Sequence, residues 1–323
     1  MMLLVDVGIW DRIVRREPII SEGKSGSQLE RGWLDDGSRV VIKHAVVDAD
    51  WVMQTAHDTG RIADIWEQGL FDRLPARIDH ATLAVRRKPG GAEVLMTDQT
   101  ASLFSQGSEL RTCHIDILQG IDAVHRAFAS ASMSGLCDLR DYYSLLSPRV
   151  CASQAAEHEV PRLALEGWAR FHELVPEEVA GAIGRLHADP EPLVDALMGY
   201  DATLVHGDLK MANLGMNRDR VVLLDWGTLT VWAPAAVDYA WYVAINAAAL
   251  ELEHSLLVEQ CRRLLAPADH EALDLALLGA LVLLGWEKAL GASMDDPAIR
   301  MRETVGLAWW VERARAALAR WPL

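Results

Sequence analysis

The chain has 323 residues, of which 51% are apolar and 24% charged, a composition that suits a globular protein with a sizeable core and excludes a disordered one. Against 31 lysines and arginines stand 46 aspartates and glutamates, a formal charge of −15. That balance argues against a nucleic-acid or anionic-membrane surface and is compatible with a cationic ligand.

Strand patterns come first along the chain. Ile19-Ile20 leads into the glycine-bearing stretch Glu22 to Ser27, then Gln28 to Trp33, a turn at Asp35-Asp36-Gly37, and Arg39 to Lys43. β-patterned runs on either side of a DG turn predict a hairpin. From Asp50 to Phe71 the spacing turns helical, with Ile62, Ile65, Trp66 and Leu70 on one side. Leu83 to Arg87 and Glu93 to Thr97 predict a further strand pair around Pro89-Gly90-Gly91. After about residue 98 helical patterns dominate, beginning with Ile115 to Phe128 and interrupted by strands near Leu204-Val205 and Val221 to Leu224. The expected architecture is α+β and bilobal. A small antiparallel-sheet lobe (1–98) joins a larger, mainly helical lobe (99–323) through a hinge near Thr97 to Ser102.

The apolar run Leu275 to Trp286 is too short to span a bilayer and reads as a core helix. No basic stretch precedes an apolar one at the N-terminus, so no signal peptide is expected. The 4 cysteines, Cys113, Cys137, Cys151 and Cys261, form no CxxC pair and read as thiols of a reducing compartment. A cytoplasmic protein, monomeric or homodimeric, is expected, with neither nucleic acid nor membrane as partner.

Chemistry concentrates between Leu204 and Tyr239, in LVHGDLKMANLGMNRDRVVLLDWGTLTVWAPAAVDY. A strand ends at His206-Gly207 and presents Asp208 on a loop, where its carboxylate can orient a substrate hydroxyl and accept its proton. Asn213 offers an amide oxygen, and Asp225, following Val221 to Leu224, offers a carboxylate. Hard oxygen donors of this kind suit Mg²⁺. Lys210 is placed to neutralise charge on a transferred phosphate. His206 is expected to hold the loop's backbone, and Asp238 to cap the next helix and accept from catalytic-loop N–H groups. Upstream, Lys24, Ser25, Gly26 and Ser27, with Gly23, could bring backbone N–H groups to phosphate oxygens. Lys43 ends the apolar strand Val40-Val41-Ile42, a costly place for an ammonium without an anion to meet it. A carboxylate from the following helix is the expected partner. At about 100° per residue, Asp58 lies nearest the face of Ile62, Ile65 and Trp66, whereas Asp64 and Glu67 point away. Phosphoryl transfer from a nucleotide needs these parts and little covalent help from the protein.

HGDLKMAN at 206–213, LLDWG at 223–227, VDYAW at 237–241 and VVIK at 40–43 resemble the aminoglycoside phosphotransferase and choline kinase-like family. That resemblance covers the whole chain and implies the protein-kinase-like fold. It implies Asp208 as catalytic base, Asn213 and Asp225 as magnesium ligands, Lys43 on the phosphates of ATP (or GTP), and adenine held by the hinge at Thr97, Asp98 and Gln99. The implied activity is O-phosphotransfer to a small-molecule alcohol such as an antibiotic, an amino sugar or a nucleoside. DWG departs from the more familiar DFG. Trp241, Trp286, Glu287, Trp309 and Trp310 offer stacking surfaces and a negative charge for a ring or cation. The alternatives are a pseudokinase-like binding module and a protein kinase. Only ten residues part Gly227 from Asp238, too few for a typical peptide platform.

Overall fold

Val40 and Ile42 alternate with Val41 and Lys43, so one strand face is wholly apolar and the other carries an ammonium. In the computed structural model, which describes residues 8–20 and 24–323, that alternation sets the two faces of an antiparallel sheet. The sheet comprises β1 (Ile13–Ile19), β2 (Gln28–Leu34) and β3 (Arg39–Val46). Three short helices follow: α1 (Trp51–Thr55), α2 (Arg61–Glu67) and α3 (Leu70–Arg73). The chain then passes through β4 (Ile78–Asp79) and returns to the sheet as β5 (Thr82–Lys88) and β6 (Gly91–Thr97). Strand order is β1-β2-β3-β6-β5. Val40 and Ile42 join Ile9, Leu34, Ala84 and Leu95 in a small core on one face. Register pairs Lys43 with Val94 and Val41 with Met96, which puts Lys43 on the other face.

The helix expected over Asp50 to Phe71 is broken in two places. His57 and Gly60 take φ of 51° and 125°, and Gly69 takes 70°, values that end a right-handed helix. A Cβ on Gly60 would lie 3.0 Å from the Gly91 carbonyl, so the break packs closely against the sheet. Asp50 caps α1 through the N–H groups of Val52 and Met53 at 2.9 and 3.1 Å. Gly23, of the predicted glycine-bearing turn, lies outside the described residues.

After β6 come α4 (Gly107–Phe128), α5 (Leu139–Ser144), α6 (Pro148–Gln154), α7 (Glu159–Leu174), α8 (Glu177–Ala188) and α9 (Glu191–Leu197). Short strands β7 (Ala202–Val205), β8 (Leu214–Asn217), β9 (Arg220–Leu223) and β10 (Val231–Pro234) form a β8–β9 hairpin and a β7–β10 pair. The chain ends in α10 (Ala236–Leu250), α11 (His254–Arg262), α12 (His270–Gly291) and α13 (Pro297–Arg320). α12, apolar on nearly every side, is the buried axis of this lobe and packs against α7, α10 and α13. No helix among the described residues is long and apolar enough to cross a membrane. Cys137, Cys151 and Cys261 are buried free thiols; Cys113 is partly exposed.

Candidate active site

Strand β7 delivers the chain to His206, and everything around that turn is hydrogen-bonded. Asp238, in the first turn of α10, accepts the His206 and Gly207 N–H groups, both at 2.9 Å. It also meets His125 Nε2 at 3.0 Å. The second expected role of Asp238 is what the structure shows; the first is not, since α10 begins without a side-chain cap and this carboxylate turns to the loop. Gly207 takes φ 83°, and a Cβ there would lie 2.1 Å from the Leu229 carbonyl, so no other residue fits this turn. Tyr142 donates its hydroxyl to Gly207 O at 3.1 Å.

His206 is a structural member of this loop. Its Nδ1 accepts the Asp208 N–H at 3.2 Å, which leaves Nε2 to carry the proton donated to Leu224 O at 2.9 Å. Burial holds its pKa below the ordinary histidine value, against the opposing charges of Asp238 and Asp208. A neutral, doubly engaged imidazole ties the loop to the strand that precedes Asp225.

Asp208 is almost buried, and its Oδ2 receives Lys210 Nζ at 2.5 Å and Asn213 Nδ2 at 3.0 Å. Asn213 Nδ2 also donates to the Asp208 carbonyl at 2.9 Å. The amide nitrogen is thereby committed, and Oδ1 is the atom left for a cation. The Asn213 carbonyl accepts Leu224 N–H at 3.0 Å, which brings Asp225 alongside. Lys43 reaches across from β3 to hydrogen-bond Asp225 Oδ1. Burial alone would raise the Asp225 pKa; Lys43 and Lys210 outweigh it and hold it at about 2. Burial likewise opposes the charge on Lys43, and Asp225 reverses this, leaving its pKa raised. For Lys210, burial is overcome by Asp208 and Asp225 in the same way. Asp50 is a further negative charge acting on both lysines. Asp208, Lys210, Asn213, Asp225 and Lys43 are therefore joined in one cluster by hydrogen bonds and charge.

One expected partner is corrected. Lys43 pairs with Asp225 and not with Asp58. Asp58 is buried and accepts the N–H groups of Gly60 and Arg61 at 2.7 and 2.6 Å, so its carboxylate is spent on the start of α2. Asp64 and Glu67 pair with Arg87.

The glycine-bearing stretch is docked on α1. Trp51 N–H donates to Ser25 O at 3.0 Å, its indole to Lys24 O at 2.9 Å, and Ser27 Oγ to Asp50 Oδ2 at 2.5 Å. Gly26, with φ 105°, sits so close that a Cβ would be 2.0 Å from Ala49 O. Lys24 Nζ lies 2.5 Å from Glu159 Oε2 at the start of α7. At the end of β6, where the hinge was expected, Thr97 N–H bonds Ala81 O at 2.9 Å, and Gln99 is buried with Nε2 on Thr97 Oγ1 at 3.0 Å. Burial would raise the Asp98 pKa, but hydrogen bonds from Thr100 and the charges of Arg39 and Arg31 lower it. A cavity of about 530 Å³ lies against these three residues, lined also by Asp79, His80 and Arg220; none of Lys43, Asp208, Asn213 or Asp225 lines it.

Trp241 and Trp286, expected as stacking surfaces, are buried, and Trp241 packs against Tyr142 at 6.0 Å. Trp309 stacks on His254 at 4.9 Å, Trp310 is buried, and Glu287 pairs with Lys288 at 3.2 Å. Asn246 was not expected. Its Nδ2 donates to Leu209 O at 2.7 Å and pins the loop after Asp208 from α10. The signal was present: a single amide in the otherwise apolar run Tyr239 to Leu250.

Solved choline kinases share this arrangement of lobes. LicA from Streptococcus pneumoniae aligns over 93% of this chain and 94% of that one, at 11% identity and a TM-score of 0.52. Choline kinase from Cryptosporidium parvum Iowa II aligns over 96% and 91%, also at 11% identity and a TM-score of 0.52. This chain has the protein-kinase-like fold. An aminoglycoside phosphotransferase from Alicyclobacillus acidocaldarius is similar over 100% of this chain and 96% of that one, at 16% identity and a TM-score of 0.47. No family model matches the sequence, and no curated protein does.

Proposed function

We propose that this protein is a nucleotide-dependent O-phosphotransferase acting on a small-molecule alcohol. The observation that carries the reading is the hydrogen-bonded grouping of Asp208 with Asn213, Asn213 with the residue before Asp225, and Asp225 with Lys43. Asp208 Oδ2 would orient the acceptor hydroxyl and take its proton late, as a loose transition state requires. Lys210, already on that carboxylate, is placed to offset charge on the transferred group. Lys43 would hold nucleotide phosphates, and the hinge at Thr97, Asp98 and Gln99 the base of ATP or GTP. LicA, with the same fold, has been solved in complex with AMP.

Asn213 Oδ1 and an Asp225 carboxylate kept ionised at low pKa form a hard-oxygen donor set that fits Mg²⁺. When bound, the metal would neutralise charge on the phosphates. The acidic surface favours an amine-bearing acceptor such as an aminoglycoside or an amino alcohol; a nucleoside is the uncharged alternative.

Asp208→Asn tests the reading. Turnover should fall by roughly 100- to 10,000-fold while Mg-nucleotide affinity stays near that of the wild type. Equal loss of both would assign Asp208 to structure. Acceptors are found by a thermal-shift screen of aminoglycosides, nucleosides and amino alcohols followed by phosphotransfer assays. Nucleotide binding without transfer to any acceptor would make the chain a binding module; transfer to peptides would make it a protein kinase.

A further inference from the structure

Lys43 takes Asp225 and not Asp58, and α2 is joined to the segment after Asp225 by a different side chain. Arg61, buried in the first turn of α2, spends its guanidinium on three carbonyls from three separate segments. Nε donates to Gly135 O at 3.2 Å, Nη2 to Ala56 O at 2.9 Å, and Nη1 to Thr228 O. The Asp58 carboxylate lies 3.9 Å from Nη1 and supplies the compensating charge. Burying an arginine is costly unless its donors are used, and here each nitrogen is engaged.

Thr228 belongs to the segment that sets Asp225. Asp225 takes φ 67° and Gly227 φ 123°. An aspartate in the left-handed region is strained and persists only where its surroundings over-determine it. Part of that determination is local: Trp226 Nε1 donates to Leu223 O at 2.9 Å, and Gly227 N–H to Thr230 Oγ1 at 3.0 Å. The remainder comes from α2. A Cβ on Gly227 would lie 3.0 Å from Ile62 Cβ, and Arg61 holds the next carbonyl. The Gly135 contact closes a ring, because Cys137 N–H donates to Thr230 O at 2.8 Å. Thus one guanidinium fixes both the segment and the 135–137 stretch bonded to it.

We infer that Arg61 is a positioning residue for the Asp225 carboxylate, tying α2 to the backbone that carries it. This inference rests on the proposed reading of Asp225 as a metal ligand. A lysine could not reproduce it, since its three donors radiate from one nitrogen, whereas these carbonyls are met from the three nitrogens of a planar fork.

The test compares wild type, Arg61→Ala and Arg61→Lys as full chains. ADP affinity is measured by calorimetry with and without Mg²⁺, and hydrogen exchange is followed at residues 226–230. The gain in ADP affinity that Mg²⁺ confers should fall roughly 10- to 100-fold in both variants, with metal-free affinity unchanged. Exchange at 226–230 should quicken ahead of the rest of the chain. Wild-type values of both readouts overturn the inference. So does a parallel loss of metal-bound and metal-free affinity with exchange raised throughout, which marks a general packing role. Should Arg61→Ala fail to fold, Arg61→Lys decides by the same readouts. If Mg²⁺ confers no gain on the wild type, the kinase reading fails. Exchange at 226–230 then decides the tether alone: selective quickening upholds it, and no change overturns it.

Discussion

Asp238 holds the loop that carries Asp208 by hydrogen bonds that can be counted, so its removal has a calculable cost. Asp238→Ala leaves the His206 N–H, the Gly207 N–H and the His125 ring without their acceptor in a site that is 1% exposed. Each buried donor left unmade costs about 1–3 kcal/mol, and because neighbours in one network do not add fully, about 3–6 kcal/mol is expected in total. Scaling the usual unfolding entropy per residue to 323 residues makes each kcal/mol worth about 1.5 °C, so calorimetry should show Tm lowered by about 4–9 °C. Turnover should fall as well, by roughly 100-fold, since Asp208 follows the freed backbone and small misplacements of a catalytic group carry that penalty. Asp238→Asn, which keeps one acceptor oxygen, should fall between. If Asp238→Ala melts within about 1 °C of wild type and keeps its turnover, the loop is held by something else and the reasoning is wrong.

Lys43→Ala should raise the apparent KM for the nucleotide or depress kcat, because it removes the partner of Asp225 and the proposed phosphate contact; steady-state kinetics like those of wild type would place its ammonium outside the reaction. Acid should destabilise the fold well before the carboxylates titrate. Burial holds His187 and His254 at about 4, below their ordinary 6.5, so both are neutral in the native state and the unfolded chain takes up protons first. The stability they contribute is complete above pH 6.5 and is lost as pH falls toward and through 4. Denaturation midpoints between pH 7 and 4 should therefore decline, and less steeply in His187→Gln/His254→Gln; an identical slope would remove these rings from the cause.

The grouping of Asp208, Asn213 and Asp225 was legible because strand, loop and strand fall within one short stretch, where local chemistry dictates geometry. Val205 must leave the strand, Gly207 alone tolerates the turn, and Leu224 must return beside Asn213. The partner of Lys43 was not legible, since Asp225 is 182 residues away and only the closing of two lobes brings them together. Helical periodicity from Asp50 to Phe71 was real but concealed its breaks: the apolar face continues from α1 to α3 while His57, Gly60 and Gly69 reverse the backbone. Gly60 and Gly69 were the available sign. Trp241 and Trp286 show a related limit, because spacing along a helix puts a ring on a face without saying whether that face meets a cleft or a core. Lys24 meets Glu159 for the same long-range reason that Lys43 meets Asp225.

The contact between Lys43 and Asp225 has a consequence for what can enter the cleft on the proposed reading. An anion arriving alone would draw the ammonium away and leave the Asp225 carboxylate without its partner; a lone divalent cation would do the reverse. A ligand that carries both signs relieves each partner at once and leaves no orphan charge behind. Discrimination in favour of the metal–nucleotide complex over either of its components would then arise from a single bond between the two halves of the molecule.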